Sequence, residues 1–141
     1  MISNDREYQH SRKQVGELEA LLASLRAGTA GDDGFRDVQE AALIGQIDDV
    51  RAEIAEYELL RSGEWTTFEA STLAGLADAL IKARIARGWT QADLAGALGV
   101  AEQQVQRYES SRYAGASLAR LGDIAVALNV EVRETVVLLA S

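Results

Sequence analysis

The sequence predicts a mainly α-helical protein: an antiparallel coiled helical hairpin followed by a bundle of four to five short helices. Three observations carry this expectation. The 141 residues contain no proline, the residue that most reliably breaks helices. Apolar residues in the first sixty positions recur at alternating spacings of three and four, the period of a helix seam. In the second half, Gly88, Gly99 and the "YAG" at 113–115 divide the chain into helix-sized pieces.

The first helix opens at Asn4, which with Glu7 resembles a capping box. Behind it Tyr8, Val15, Leu18, Leu22 and Leu25 form a heptad seam with Ser11 as its polar gap. The glycine-rich "AGTAGDDG" at 27–34 ends the helix. A second helix is expected from about Phe35 to Arg61, with a seam of Leu43, Ile47, Val50, Ile54 and Tyr57. Gly63 suits the left-handed position after a helix. Two helices alone bury little surface. The seam residues Val15, Leu18, Leu22, Leu25, Ile47, Val50, Ile54 and Tyr57 are therefore expected to support a dimer or to pack on the other half. Residues 1–62 are assigned as this hairpin, for dimerisation or partner binding. Residues 63–71, with "EWTTFEA", form a linker or a short strand near 64–69. Helices follow at about 72–87, 90–98, 101–110 and 117–128, with Thr90 and Asp93 as a second capping box. The segment 130–138 has a β-branched, alternating start that favours a strand and a position that favours a fifth helix.

Composition narrows the function. Apolar residues make up 48% of the chain, enough for a packed core. No run approaches the roughly 18 to 20 apolar residues of a membrane span, and the polar start lacks a signal-peptide core. A cytoplasmic location is expected. Cysteine is absent and His10 is the only histidine, so no metal site, cofactor or catalytic residue is expected, and an enzyme is not. The net charge of −8 is concentrated: residues 1–72 hold 7 Lys/Arg against 15 Asp/Glu, while residues 73–141 hold 7 of each.

The segment "TQADLAGALGVAEQQVQRYES" carries the functional signal. Leu94 and Leu98 share one side of a short helix, and Ala95 allows close crossing. Gly99 permits a left-handed turn. Ala101, Val105 and Tyr108 fall at i, i+4 and i+7, so one face of the next helix is expected to be buried. That leaves Glu102, Gln103, Gln106, Arg107 and Ser110 pointing outward. These types suit base reading: Gln pairs with adenine, Arg with guanine, and Glu accepts from cytosine.

The longer stretch "IKARIARGWTQADLAGALGVAEQQVQRYES", with "RLGDIAVALNV" at 120–130, resembles the phage-repressor-like (Xre/Cro-type) helix-turn-helix family. The resemblance covers about residues 73–130 and rests on Arg84, Gly88, "TQ", "LA" at 94–95, "LGV" at 98–100 and Glu109. It implies a lambda-repressor-like DNA-binding domain, usually dimeric on a near-palindromic operator. By position, Glu102, Gln103 and Arg107 would face base edges with Gln106 at the border. Gln91, Arg112, Tyr113 and Ser117 would contact phosphates. Arg84 and Glu109 would form a structural ion pair. Two departures stand out: the capping Ser or Thr before the recognition helix is Ala101, and the usual glycine after it is Ser111.

The function expected is a sequence-specific transcriptional regulator that binds double-stranded DNA as a homodimer. The alternative is an antitoxin of a type II toxin–antitoxin pair, gripping a toxin partner through the acidic hairpin and regulating its own operon. A scaffold that uses the same fold to meet protein is a third reading.

Overall fold

The computed structural model describes residues 1–28 and 33–141. The described residues form six helices: α1 (Asp5–Ala27), α2 (Asp33–Ser62), α3 (Leu73–Ala86), α4 (Gln91–Leu98), α5 (Glu102–Ser110) and α6 (Leu118–Ala127). Among the described residues there is no strand, so the strands considered near 64–69 and 130–138 are absent. Nor is there a fifth helix after α6; residues 130–141 run on without regular structure. Of the loop expected at 27–34, residues 29–32 lie outside the described residues. No described helix is long and apolar enough to cross a membrane. Internal contacts divide the chain into two units, Met1–Trp65 and Thr66–Ser141.

The first unit is a helical hairpin in which α1 packs along α2. Asn4 caps α1 by accepting from Glu7 N at 2.9 Å. The reciprocal bond goes to Ser3 N and not to Asn4 N, because Glu7 reaches one residue further back. The seam residues are shielded: Ile47 and Tyr57 are buried, and Val15, Leu18, Leu22, Leu25, Val50 and Ile54 are half-buried, while Leu60, outside the expected seam, is fully buried. Within one chain this seam therefore already joins α1 to α2. Tyr8 and Tyr57 pack with ring centroids 5.2 Å apart, and the Tyr8 hydroxyl donates to Glu58 at 2.5 Å. Outside the seam, Arg26–Glu40, Arg51–Glu19 and Arg61–Asp5 bridge the helices. These pairs are exposed and worth about 0–1 kcal/mol each, so they set alignment while apolar burial holds the hairpin together. Gly63, with φ +73°, closes α2 in the left-handed conformation expected of it.

The second unit is built around Leu80, Ile81, Leu94, Val105, Ile124 and Leu128, all nearly or fully buried. Thr72 caps α3 by accepting from Gly75 N at 2.9 Å. Thr90 and Asp93 form the reciprocal capping box that opens α4. α4 packs on both α5 and α6 and so sits at the centre of the unit. The exit of α6 is sealed by a residue 41 positions away: Arg87 donates to Leu128 O at 2.8 Å and to Asn129 O at 2.7 Å. These last carbonyls of a helix would otherwise lack partners.

Candidate nucleic-acid interface

The turn between α4 and α5 is a Schellman motif. Val100 N donates to Ala95 O at 3.0 Å and Gly99 N to Gly96 O at 3.3 Å, with Gly99 at φ +69°. A side chain at that φ would be strained, so this glycine sets the angle at which α5 leaves α4. Ala95 is 2% exposed at the crossing. As expected from Ala101, the N-terminus of α5 has no side-chain cap.

α5 divides cleanly by face. Val105 is fully buried and Tyr108 is half-buried; Ala101, expected on the same inner face, is exposed because it precedes the first turn. Glu102, Gln103, Gln106, Arg107 and Ser110 are all exposed. Gln106 Nε2 donates to Glu102 Oε1 at 3.2 Å, one turn back. The Glu102 carboxylate is thus held by a neutral neighbour, and the two offer a combined donor–acceptor edge.

Beneath this face lies a buried polar network. Arg84 Nε and Nη2 donate to the two carboxylate oxygens of Glu109 at 2.5 and 2.8 Å. Both side chains are 2% exposed. Arg84 Nη1 donates to Trp89 O at 2.7 Å, and Gln91 Nε2 donates to Glu109 Oε2 at 2.8 Å. Among the described residues no buried side-chain nitrogen or oxygen lacks a partner. The network ties α3, the start of α4 and the last turn of α5 into one body. It also gives Gln91 a placement other than the one its motif position implied. That side chain, expected on a DNA phosphate, is buried with its amide committed to Glu109.

The loop after α5 differs from expectation in two ways. The left-handed position is not Ser111, whose φ is −89°; it is Arg112, followed by Tyr113, at φ +53° and +56°. Tyr113 N donates to Tyr108 O at 2.7 Å and Arg112 N to Glu109 O at 3.1 Å, so this too is a Schellman closure, with arginine in the glycine's place. Each non-glycine residue held there costs of order 1 kcal/mol or more. Second, Tyr113, expected at a phosphate, is 5% exposed and stacks on Tyr108 at 5.7 Å. Burial, followed by the nearby Glu109 charge, pushes its hydroxyl well above the ordinary tyrosine range. Arg112 is half-exposed and bridges to Asp78 on α3 at 2.7 Å. Ser117 is exposed and caps α6, accepting from Arg120 N at 3.1 Å.

Of the residues expected at DNA, six are exposed: Glu102, Gln103, Gln106, Arg107, Arg112 and Ser117. Gln91 and Tyr113 are buried. Asp78 and Arg87 had no signal in the sequence, because their partners are 34 and 41 residues distant. Asp93, in the capping box, is held below the usual carboxylate range by its bonds from the Thr90 backbone and side chain.

Comparison with known protein families matches residues 80–134 to the helix-turn-helix family. No curated protein and no solved structure matches the chain. The matched residues run from α3 through α6, and they include the Arg84–Glu109 network, the Gly99 turn and the polar face of α5. Residues 80–134 thus form a phage-repressor-like helix-turn-helix domain, a domain of the DNA-binding, transcriptional-regulator kind.

Proposed function

We propose that the protein is a sequence-specific regulator that reads a near-palindromic operator as a homodimer, with α5 in the major groove of each half-site. The observation that carries this reading is the outer face of α5, where Glu102, Gln103, Gln106 and Arg107 stand exposed on a helix whose inner face is locked by the buried network. Side chains on a rigid helix can discriminate bases, since a good bidentate contact is worth about 1–3 kcal/mol against the wrong base. Arg112 and Ser117 take adjacent phosphates, and Arg112 exchanges Asp78 for the phosphate oxygen.

The charge balance supports a dimer. Residues 73–141 carry equal numbers of cations and anions, so non-specific attraction to DNA is weak. Affinity then depends on base contacts and on joining two half-sites. The test is selection of bound sequences from random DNA. Two inverted half-sites with centres about 10 base pairs apart are the expected result. Enrichment of a single half-site, or of none, would refute the dimeric palindrome.

A second reading, as an antitoxin, is favoured by the acidity of residues 1–72, where 15 acids face 7 bases. Such a surface would steer a basic partner toward the hairpin. Co-purification of a small basic protein encoded beside this chain, lost when hairpin acids are neutralised, would support it; purification without a partner in the native host would count against it.

A further inference from the structure

Residues 130–141 hold the most exposed apolar side chains of the second unit. Val136 and Leu138 are each 96% exposed, Leu139 83% and Val137 69%. Among the described residues the last backbone hydrogen bond in this part of the chain is donated by Val130, to Ala125 O. Beyond it the residues of "EVRETVVLL" are exposed and make no backbone–backbone hydrogen bond, which leaves their donors and acceptors open to pairing as on a sheet edge. The run is β-branched and its start alternates, the composition of a strand. Asn129, at φ +52°, turns it away from α6.

The charges indicate what covers this segment. Glu131 and Arg133 lie two residues apart, the spacing that puts side chains on one side of a strand, and pair with each other, Arg133 Nε to Glu131 Oε1 at 2.8 Å. In an antiparallel pair related by a two-fold axis, residues opposite each other must sum to an even number, twice that of the central residue. Centring on Val132 sets Glu131 opposite Arg133 of the other copy, and Arg133 opposite its Glu131, while Val132 meets itself. Centring on Arg133 or Glu134 would instead place like charges face to face, which is unfavourable. In the Val132 register, Val136 to Leu139 run past the other copy's Val130 toward the end of its α6, where Val126 is 81% exposed.

We infer that residues 130–134 pair with the same residues of a second copy as a short antiparallel ribbon centred on Val132, that residues 136–139 continue from it onto the end of the other copy's α6, and that this ribbon joins the two reading heads. The inference rests on the homodimeric reading above and identifies the segment that makes the dimer.

The experiment measures the mass of the full chain by sedimentation, with wild type, Glu131→Arg, Arg133→Glu and an equimolar mixture of the two variants. Both side chains are exposed, at 70% and 84%, so helical content should not change. Each variant alone faces like charges across the axis, and its dimer should weaken by about tenfold or more. The mixture should recover a dimer, since one strand then carries two arginines and the other two glutamates; repair of the pair within one chain cannot do this. Variants as dimeric as wild type, or a mixture that stays monomeric, overturn the ribbon and leave the homodimer standing. A wild-type chain that is monomeric both free and on selected DNA overturns the homodimer, and the ribbon with it.

Discussion

Removal of the Glu109 carboxylate should be the most destabilising single change in the second unit. In Glu109→Ala the Arg84 guanidinium, 2% exposed, loses bonds from Nε and Nη2, and the Gln91 amide loses its acceptor. The bond from Arg84 Nη1 to Trp89 O survives. Stranding one partner of a buried pair costs about 3–5 kcal/mol, against about 0–1 for an exposed pair such as Arg112–Asp78. Arg84→Met should cost a similar amount, because it leaves the carboxylate buried with the Gln91 amide alone. The double variant Arg84→Met/Glu109→Leu replaces the ions with apolar volume and should recover most of the loss, for a coupling of about 2–3 kcal/mol or more. Urea unfolding followed through Trp89, in a Trp65→Phe background so that only the second unit reports, measures all three. Single variants that each lose less than about 1 kcal/mol, or a double variant that loses the sum, would refute the claim that this network fastens α5 to α3.

Three further outcomes follow from the same geometry. The Tyr113 hydroxyl has a folded pKa above its unfolded value of 10.0. Its contribution is therefore complete below about pH 10 and is lost as pH rises beyond that, so Tyr113→Phe should flatten the alkaline limb of a stability profile. Thr90→Ala removes the cap of α4 and should cost about 0.5–2 kcal/mol in urea unfolding; because the folded pKa of Asp93 is lowered by Thr90, the variant should also lose part of the destabilisation seen as pH falls through the carboxylate range. Arg112→Gly relieves a left-handed residue and loses an exposed ion pair, so stability should change by less than about 1 kcal/mol. The slope of log affinity against log salt should nonetheless fall by about 0.9 per protomer, the signature of one lost phosphate contact.

Most of the helical layout was legible because it depends on local signals. The 3-4 spacing of the hairpin seams, the Thr90–Asp93 box and Gly63, Gly88 and Gly99 each act within a few residues, and the helices lie within two residues of where these signals place them. The outward face of α5 was legible for the same reason, since Val105 and Tyr108 set its phase. What could not be read is long-range. Gln91 was assigned to a phosphate from its motif position, yet its amide turns to Glu109, 18 residues on. Tyr113 follows the recognition helix closely enough to suggest a phosphate contact, but its ring stacks inward on Tyr108. The segment 130–138 carried two conflicting signals, β-branching and family position. In one chain neither is satisfied, because a lone strand has no partner for its backbone.

The central claim is that α5 reads bases, and the most direct measurement is a titration of selected operator DNA with wild type, Gln103→Ala and Arg107→Ala. Both side chains are exposed and lie outside the buried network, so folding should be unchanged. The account predicts a loss of about 1–3 kcal/mol for Arg107→Ala, with discrimination relaxed at one base position per half-site, and a comparable effect for Gln103→Ala at another. If both variants bind the operator with wild-type affinity and wild-type base preference, α5 is not the reading head.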